Sequence, residues 1–372
     1  MQITRVETYW TQIPFDMGGK PKVMGGLNWQ SMNTVWLRIV TDAGVEGWGE
    51  AFGHACSAAT MAVLDTQLAP ALLGQDARDI VGLRRRLSET FHLYGRNGPH
   101  LFALSGLDIA LWDIAGKIAG QPLWRLLGGT PVESLRAYAS LLRYGEAPAV
   151  AAACERAMAR GYRDVKLHEI TTPEITAARQ ALGPEARLMV DVNCPWTIWQ
   201  ALSMSLELAD LNLTWLEEPV WPPGDHQGLA RVRLEGGIPI AAGENAAGLH
   251  DFRAAFEAEA QDIAQPSVTK IGGPSAMIEI AALAKAFGVR LVPHNAYFGA
   301  GYLASLHVNT ALAPDAPFER LFIDLQEDPY GGMLSAVDGR VTVPTGPGLG
   351  CDPNIDVLRK YLVRVPGEHR ME

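Results

Sequence analysis

The chain has 372 residues, 48% of them hydrophobic, enough to bury the core of a large domain and a second, smaller one. A net charge of −10 excludes a general nucleic-acid binder, whose phosphate contacts need clustered Lys and Arg, and the single basic run, Arg84-Arg85-Arg86, reads as a solvated helix face. No apolar run reaches membrane-spanning length, and residues 1–7 alternate like a strand where a signal peptide would be continuously apolar, so a cytoplasmic protein without a membrane partner is expected.

In chain order, Val35-Trp36-Leu37-Arg38-Ile39-Val40-Thr41, the turn Asp42-Ala43-Gly44 and Val45-Glu46-Gly47-Trp48-Gly49-Glu50 predict an antiparallel hairpin. Residues 105–117 carry apolar side chains at helical spacing, and Gly120-Gln121-Pro122 ends that helix. Residues 1–125 thus read as an α+β domain. From about residue 135 to 324 short apolar runs alternate with helical stretches, such as 147–160 and 275–287, that are rich in Ala and bounded by Gly or Pro. This α/β pattern predicts a parallel barrel over residues 126–340. The final segment, 341–372, alternates and then turns helical, and is expected to return to the first domain.

The chemistry sits at the ends of the apolar runs. Asp191, Glu217 and Glu244 lie 26 and 27 residues apart, about one strand plus one helix, so consecutive βα units would deliver three carboxylates to one ring. Converging carboxylates cannot all stay ionised without a cation, and a hard divalent ion with oxygen ligands, most simply Mg²⁺, replaces their repulsion by attraction. Cys56, Cys154, Cys194 and Cys351 are scattered without Cys-x-x-Cys spacing, which argues against zinc and against a disulfide framework. The same interval continues outward to Lys166 and His168 upstream, and to Lys270 and His294 downstream.

Taken together, Gly47-Trp48-Gly49-Glu50, residues 104–117, Lys166-Leu167-His168, Val190-Asp191-Val192-Asn193, Leu216-Glu217-Glu218-Pro219, Gly243-Glu244-Asn245, Lys270-Ile271-Gly272-Gly273, Pro293-His294 and Glu319-Arg320-Leu321 resemble the enolase superfamily, in its mandelate racemase/muconate lactonizing enzyme group. The resemblance implies a modified TIM barrel, (β/α)₇β, an α+β capping domain whose loops close the active site, and one Mg²⁺ per subunit. It also implies abstraction of the proton α to a carboxylate, with Lys or His as base and the enolate stabilised by the metal. Lys166 matches the position whose ammonium contacts the substrate carboxylate. His168 shares its strand face and stands where the family has a second Lys. His294 matches the racemase-branch histidine, but Ser267 stands where its Asp partner would be. Lys270 matches the catalytic Lys of the lactonizing branch, a position where the racemase branch often keeps a Lys too, so its role stays open.

Asn193 and Asn245, beside the ligands, would orient them, bind substrate or simply serve turns, and Glu319 is taken as substrate-binding. Glu218 is expected to point away by strand alternation. Trp29 and Tyr297 are candidates for the pocket wall, with packing as the plainer reading, and His54 lies near the family's cap loops. Gly18, Gly19, Gly25 and Gly26 suggest a first loop, residues 17–29, that moves over substrate.

The substrate is expected to be a small-molecule carboxylate. A hydroxyl β to it, expelled by a general acid, would make the protein an acid sugar dehydratase giving a 2-keto-3-deoxy acid, with cycloisomerisation of a sugar lactone as the related outcome. Reprotonation on the opposite face would make it a racemase or epimerase of a hydroxy acid or amino acid derivative. A non-catalytic metal-binding barrel is the remaining reading. The Ala-rich outer helices, and the habit of relatives, predict a homo-oligomer.

Overall fold

Strand alternation gives the N-terminal sheet two apolar faces, and each is used. In the computed structural model, which describes residues 1–20, 22–23, 26 and 28–371, the strands Ile3–Asp16, Ser31–Thr41 and Glu46–Ala51 form an antiparallel meander. Val35, Leu37 and Ile39 pack on the helices of the cap, whereas Trp36, Trp48 and Tyr9 join the barrel core. Pro21, Met24, Leu27 and Glu372 lie outside the described residues, as does Gly25 of the expected mobile loop.

The helix Pro99–Ala119 is apolar nearly all round because it is enclosed by both domains. Against the cap it comes so close that a Cβ on Gly49 would strike the Gly106 carbonyl. Toward the barrel, Asp108 accepts from the N–H and hydroxyl of Ser275 at 2.8 and 2.7 Å, at the start of the helix Gly273–Phe287. The C-terminal strand Gly367–Arg370 pairs antiparallel with Ile3–Asp16, so the chain's end lies on the cap sheet.

The second half is a capped (β/α)₇β barrel. Its eight parallel strands are Ser134–Ser140, Asp164–Leu167, Arg187–Asp191, Leu213–Glu217, Ile240–Ala242, Ile263–Ala264, Arg290–Leu291 and Phe318–Leu321, the last returning to pair with the first. Seven helices connect them. Register matters most between the third and fourth strands, where Asp191 and Glu217 are direct cross-strand partners and their carboxylates stand side by side. Among the described residues, no helix is long and apolar enough to cross a membrane.

Candidate active site

The strand ends bring the acids together. Carboxylate oxygens of Asp191, Glu217 and Glu244 all lie within 4.8 Å of one another. Two of them are held from behind. Asn193 donates to Asp191 Oδ1 from its backbone N–H and its Nδ2, both at 3.0 Å. Trp215 Nε1 and Gln265 Nε2 donate to Glu217 Oε2 at 2.9 and 2.8 Å, leaving Oε1 to face the ring. Burial and the charge of Asp191 push the Glu217 carboxyl up to about 7, the signature of acids gathered without enough positive charge.

Lys166, fully buried, supplies part of that charge. Its Nζ lies 2.8 Å from Glu217 Oε1, 2.8 Å from Glu319 Oε1 and 3.3 Å from Asp191 Oδ2, and these acids hold the ammonium form against burial. The remaining donor set fits a hard divalent cation: three convergent carboxylates, no sulfur, and a buried Asn193 Oδ1 that has no hydrogen-bond partner.

Two histidines flank the acids. His168 Nδ1 donates to the Leu141 carbonyl at 2.6 Å, which directs Nε2 toward the mouth, 3.4 Å from Asp191 Oδ2. On the opposite wall His294 Nε2 lies 2.7 Å from Glu244 Oε2 and 4.0 Å from Glu319 Oε2, while its Nδ1 lies 3.3 Å from the Ser267 hydroxyl. Burial alone would lower both imidazoles, but the adjacent carboxylates outweigh it and raise them. Lys270 Nζ donates to Asn245 Oδ1 at 2.9 Å and stands 3.7 Å from Glu244.

Glu244 and the two histidines open onto a cavity of about 530 Å³ between the barrel and the cap, with Asp191, Glu217 and Lys166 buried beneath its lining. Trp29 and Glu319 line it, as do Asn193, His168, Lys270 and His294. Tyr297 does not: it is buried behind the wall, its ring edge-on to His294 at 6.0 Å and its hydroxyl closing on Ser267. Glu218 departs from strand alternation. Its φ of 47° turns the chain back, so the side chain enters the cavity lining and accepts from Asn245 Nδ2 with both oxygens at 3.0 Å. Gln265 and Trp215 were not singled out in the sequence. Both lie two residues from positions that mattered, Ser267 and Glu217, and the period of two was the available signal.

An α+β cap closing a (β/α)₇β barrel with an acidic triad at its C-terminal mouth defines an enolase-superfamily enzyme. The family model for the mandelate racemase / muconate lactonizing enzyme N-terminal domain matches residues 3–128, and the enolase C-terminal domain-like model matches residues 149–357; the chain belongs to this family. It is 35% identical to the D-galactarolactone cycloisomerase of Agrobacterium fabrum, over 98% of this chain and 100% of that one. It is 31% identical to the arabinonate dehydratase of Saccharolobus solfataricus, over 90% and 92% of the two chains. The crystal structure of a racemase from Streptomyces coelicolor A3(2) with bound magnesium superposes with a TM-score of 0.88 at 29% identity, covering 97% of this chain and 100% of that one.

Proposed function

We propose that the protein is a magnesium-dependent lyase that removes the proton α to the carboxylate of a sugar acid and expels the β-hydroxyl, giving a 2-keto-3-deoxy acid. The observation that carries this reading is the placement of His168 and His294 on opposite walls of one cavity, above the acid ring. Mg²⁺ held by Asp191, Glu217 and Glu244 would supply Lewis acidity where negative charge develops on the substrate carboxylate. The chain's own residues supply the rest. The Lys166 ammonium, buried beneath the lining between Glu217 and Glu319, adds a fixed positive charge under the same end of the cavity. His168, its Nδ1 held by the Leu141 carbonyl, offers Nε2 to accept the α-proton when the imidazole is neutral, the form that a cation on Asp191 would favour by offsetting that carboxylate's charge. His294, favoured in its charged form by Glu244 and Glu319, carries a proton on Nε2 to give to the departing oxygen. Lys270 remains a second group able to move a proton on that wall.

Cycloisomerisation is the same chemistry with a ring oxygen as leaving group, and the similarity to a galactarolactone cycloisomerase favours it as the second reading. Racemisation needs only that His294 reprotonate carbon instead of oxygen. Incubating aldonic, aldaric and uronic acids and their lactones with protein and Mg²⁺ in D₂O tests all three. Keto acid formed with loss of water supports dehydration, keto acid of unchanged mass formed by opening a lactone supports cycloisomerisation, and α-deuterium with inverted configuration supports epimerisation. No exchange with any acid would reduce the protein to a metal-binding barrel.

A homo-oligomer is also part of the proposal, supported by the Ala-rich barrel helices, and light scattering giving a 40.2 kDa particle would overturn it. A cytoplasmic location is consistent with four cysteines that are all free.

A further inference from the structure

The cavity has two unlike ends. The barrel end carries Glu244, Glu319, His168, His294 and Lys270. At the cap end Trp29, Phe52, His54 and Phe102 form an aromatic wall, with Ala55 at its edge. Trp29 and Phe52 each meet the His54 ring at 4.7 Å, and Phe102 meets Phe52 at 4.9 Å, so the wall is one packed cluster. Burial and the nearby Lys270 hold the His54 imidazole down to about 3, so it is neutral. Its Nε2 is sealed from solvent. Among the described residues, the cap places no Lys or Arg in the cavity lining. Lys22, on the first loop, pairs with Glu146 at 3.0 Å. Lys270 is held at the barrel end by Asn245, its ammonium over the Phe52 ring at 4.9 Å.

A substrate anchored by one carboxylate at the barrel end must extend its other half toward this wall. A second carboxylate brought there would lose water and find, among the described residues lining the cavity, only the Lys270 ammonium, already engaged by Asn245 and Glu244. A sugar's C–H face, in contrast, packs well on aromatic rings. We infer that the substrate is a monoanion, a sugar acid or lactone acid whose distal half is uncharged and rests on the Trp29 wall, and that open-chain sugar diacids are rejected. The direction of binding rests on the proposed α-proton chemistry; the charge selectivity rests on the wall itself.

The test compares hexonates, the corresponding hexarates and the hexarate 1,4-lactones, which share a skeleton and differ in whether the distal carboxyl is absent, charged or masked. The full chain with Mg²⁺ is titrated calorimetrically with each, and α-proton exchange in D₂O is followed in parallel. In the stereochemical series that binds best, hexonate or lactone should bind at least about 10²-fold more tightly than the hexarate, the scale of leaving one buried charge unpaired. A hexarate binding equally or better overturns the inference, as does no binding in any series. Selective binding of monoanions without exchange would instead overturn the α-proton reading and leave the charge selectivity standing. Ala55→Arg puts a cation at the wall and should improve hexarate binding relative to hexonate by about tenfold or more, the scale of a newly paired charge; an equal change for both overturns the inference.

Discussion

His294 Nδ1 faces the Ser267 hydroxyl at 3.3 Å, and Tyr297 closes on that same hydroxyl from behind. A hydroxyl can orient an imidazole but brings no negative charge to strengthen it as a base. The carboxylates that do raise His294, Glu244 and Glu319, sit on its other nitrogen, where they favour a proton ready to be given. His294→Asn should therefore abolish keto acid formation while α-proton exchange from the His168 face survives in part. Loss of a general acid costs about 10² to 10⁴ in rate, so product and exchange assays will separate. Equal loss of both would make His294 the base and exchange the roles of the two walls.

The acid ring makes a prediction that needs no substrate. Mg²⁺ at about 100 times its dissociation constant should stabilise the protein by about 2.7 kcal/mol, read as a rise in Tm that chelation reverses. Glu217→Gln removes a charge that burial and Asp191 already disfavour, so the metal-free variant should fold, but its Tm should no longer respond to Mg²⁺. A wild-type Tm indifferent to Mg²⁺ would remove the metal reading.

The parts of this site that were legible in sequence are those set by repetition. Asp191, Glu217 and Glu244 recur at the βα period, and parallel register then makes the first two cross-strand partners. What was not legible depends on backbone that breaks period or on distance along the chain. Glu218 should point outward, yet a left-handed φ of 47° brings it into the cavity lining. Tyr297 follows His294 in a loop, and only the fold shows that it packs behind the wall instead of in it. The aromatic cluster of Trp29, Phe52, His54 and Phe102 draws on three cap segments whose meeting no local pattern encodes.

The contact between Gly49 and Gly106 leaves no room for a side chain. Gly49→Ala would drive a methyl into the Gly106 carbonyl and prise the cap sheet from its central helix. Overpacking of this kind costs about 1 to 3 kcal/mol. Thermal unfolding should show a clear drop in Tm, whereas Gly224→Ala, where a Cβ meets open space, should leave it nearly unchanged. Equal Tm values for the two variants would show that the cap relaxes around the extra methyl.

Glu50 ties the cap to the barrel, and its burial makes the tie sensitive to pH. The N–H of Gly301, in the first turn of the helix Ala300–Leu312, donates to Glu50 Oε2 at 2.7 Å. Burial pushes this carboxyl from an ordinary 4.5 up to about 8, the Gly301 and Gly299 N–H groups offsetting only part of the desolvation. A raised carboxyl favours the folded state while protonated. Its contribution is therefore full below the unfolded value and is lost as pH rises through the folded one, at up to about 1.4 kcal/mol per pH unit. Glu50→Gln keeps a carbonyl acceptor for Gly301 and carries no charge. Wild type and variant should unfold at similar temperatures near pH 5 and diverge as pH approaches 8, the variant becoming the more stable. If wild type is instead the more stable above pH 8, the helix N-terminus stabilises the carboxylate more than burial penalises it, and Glu50 is an anionic cap.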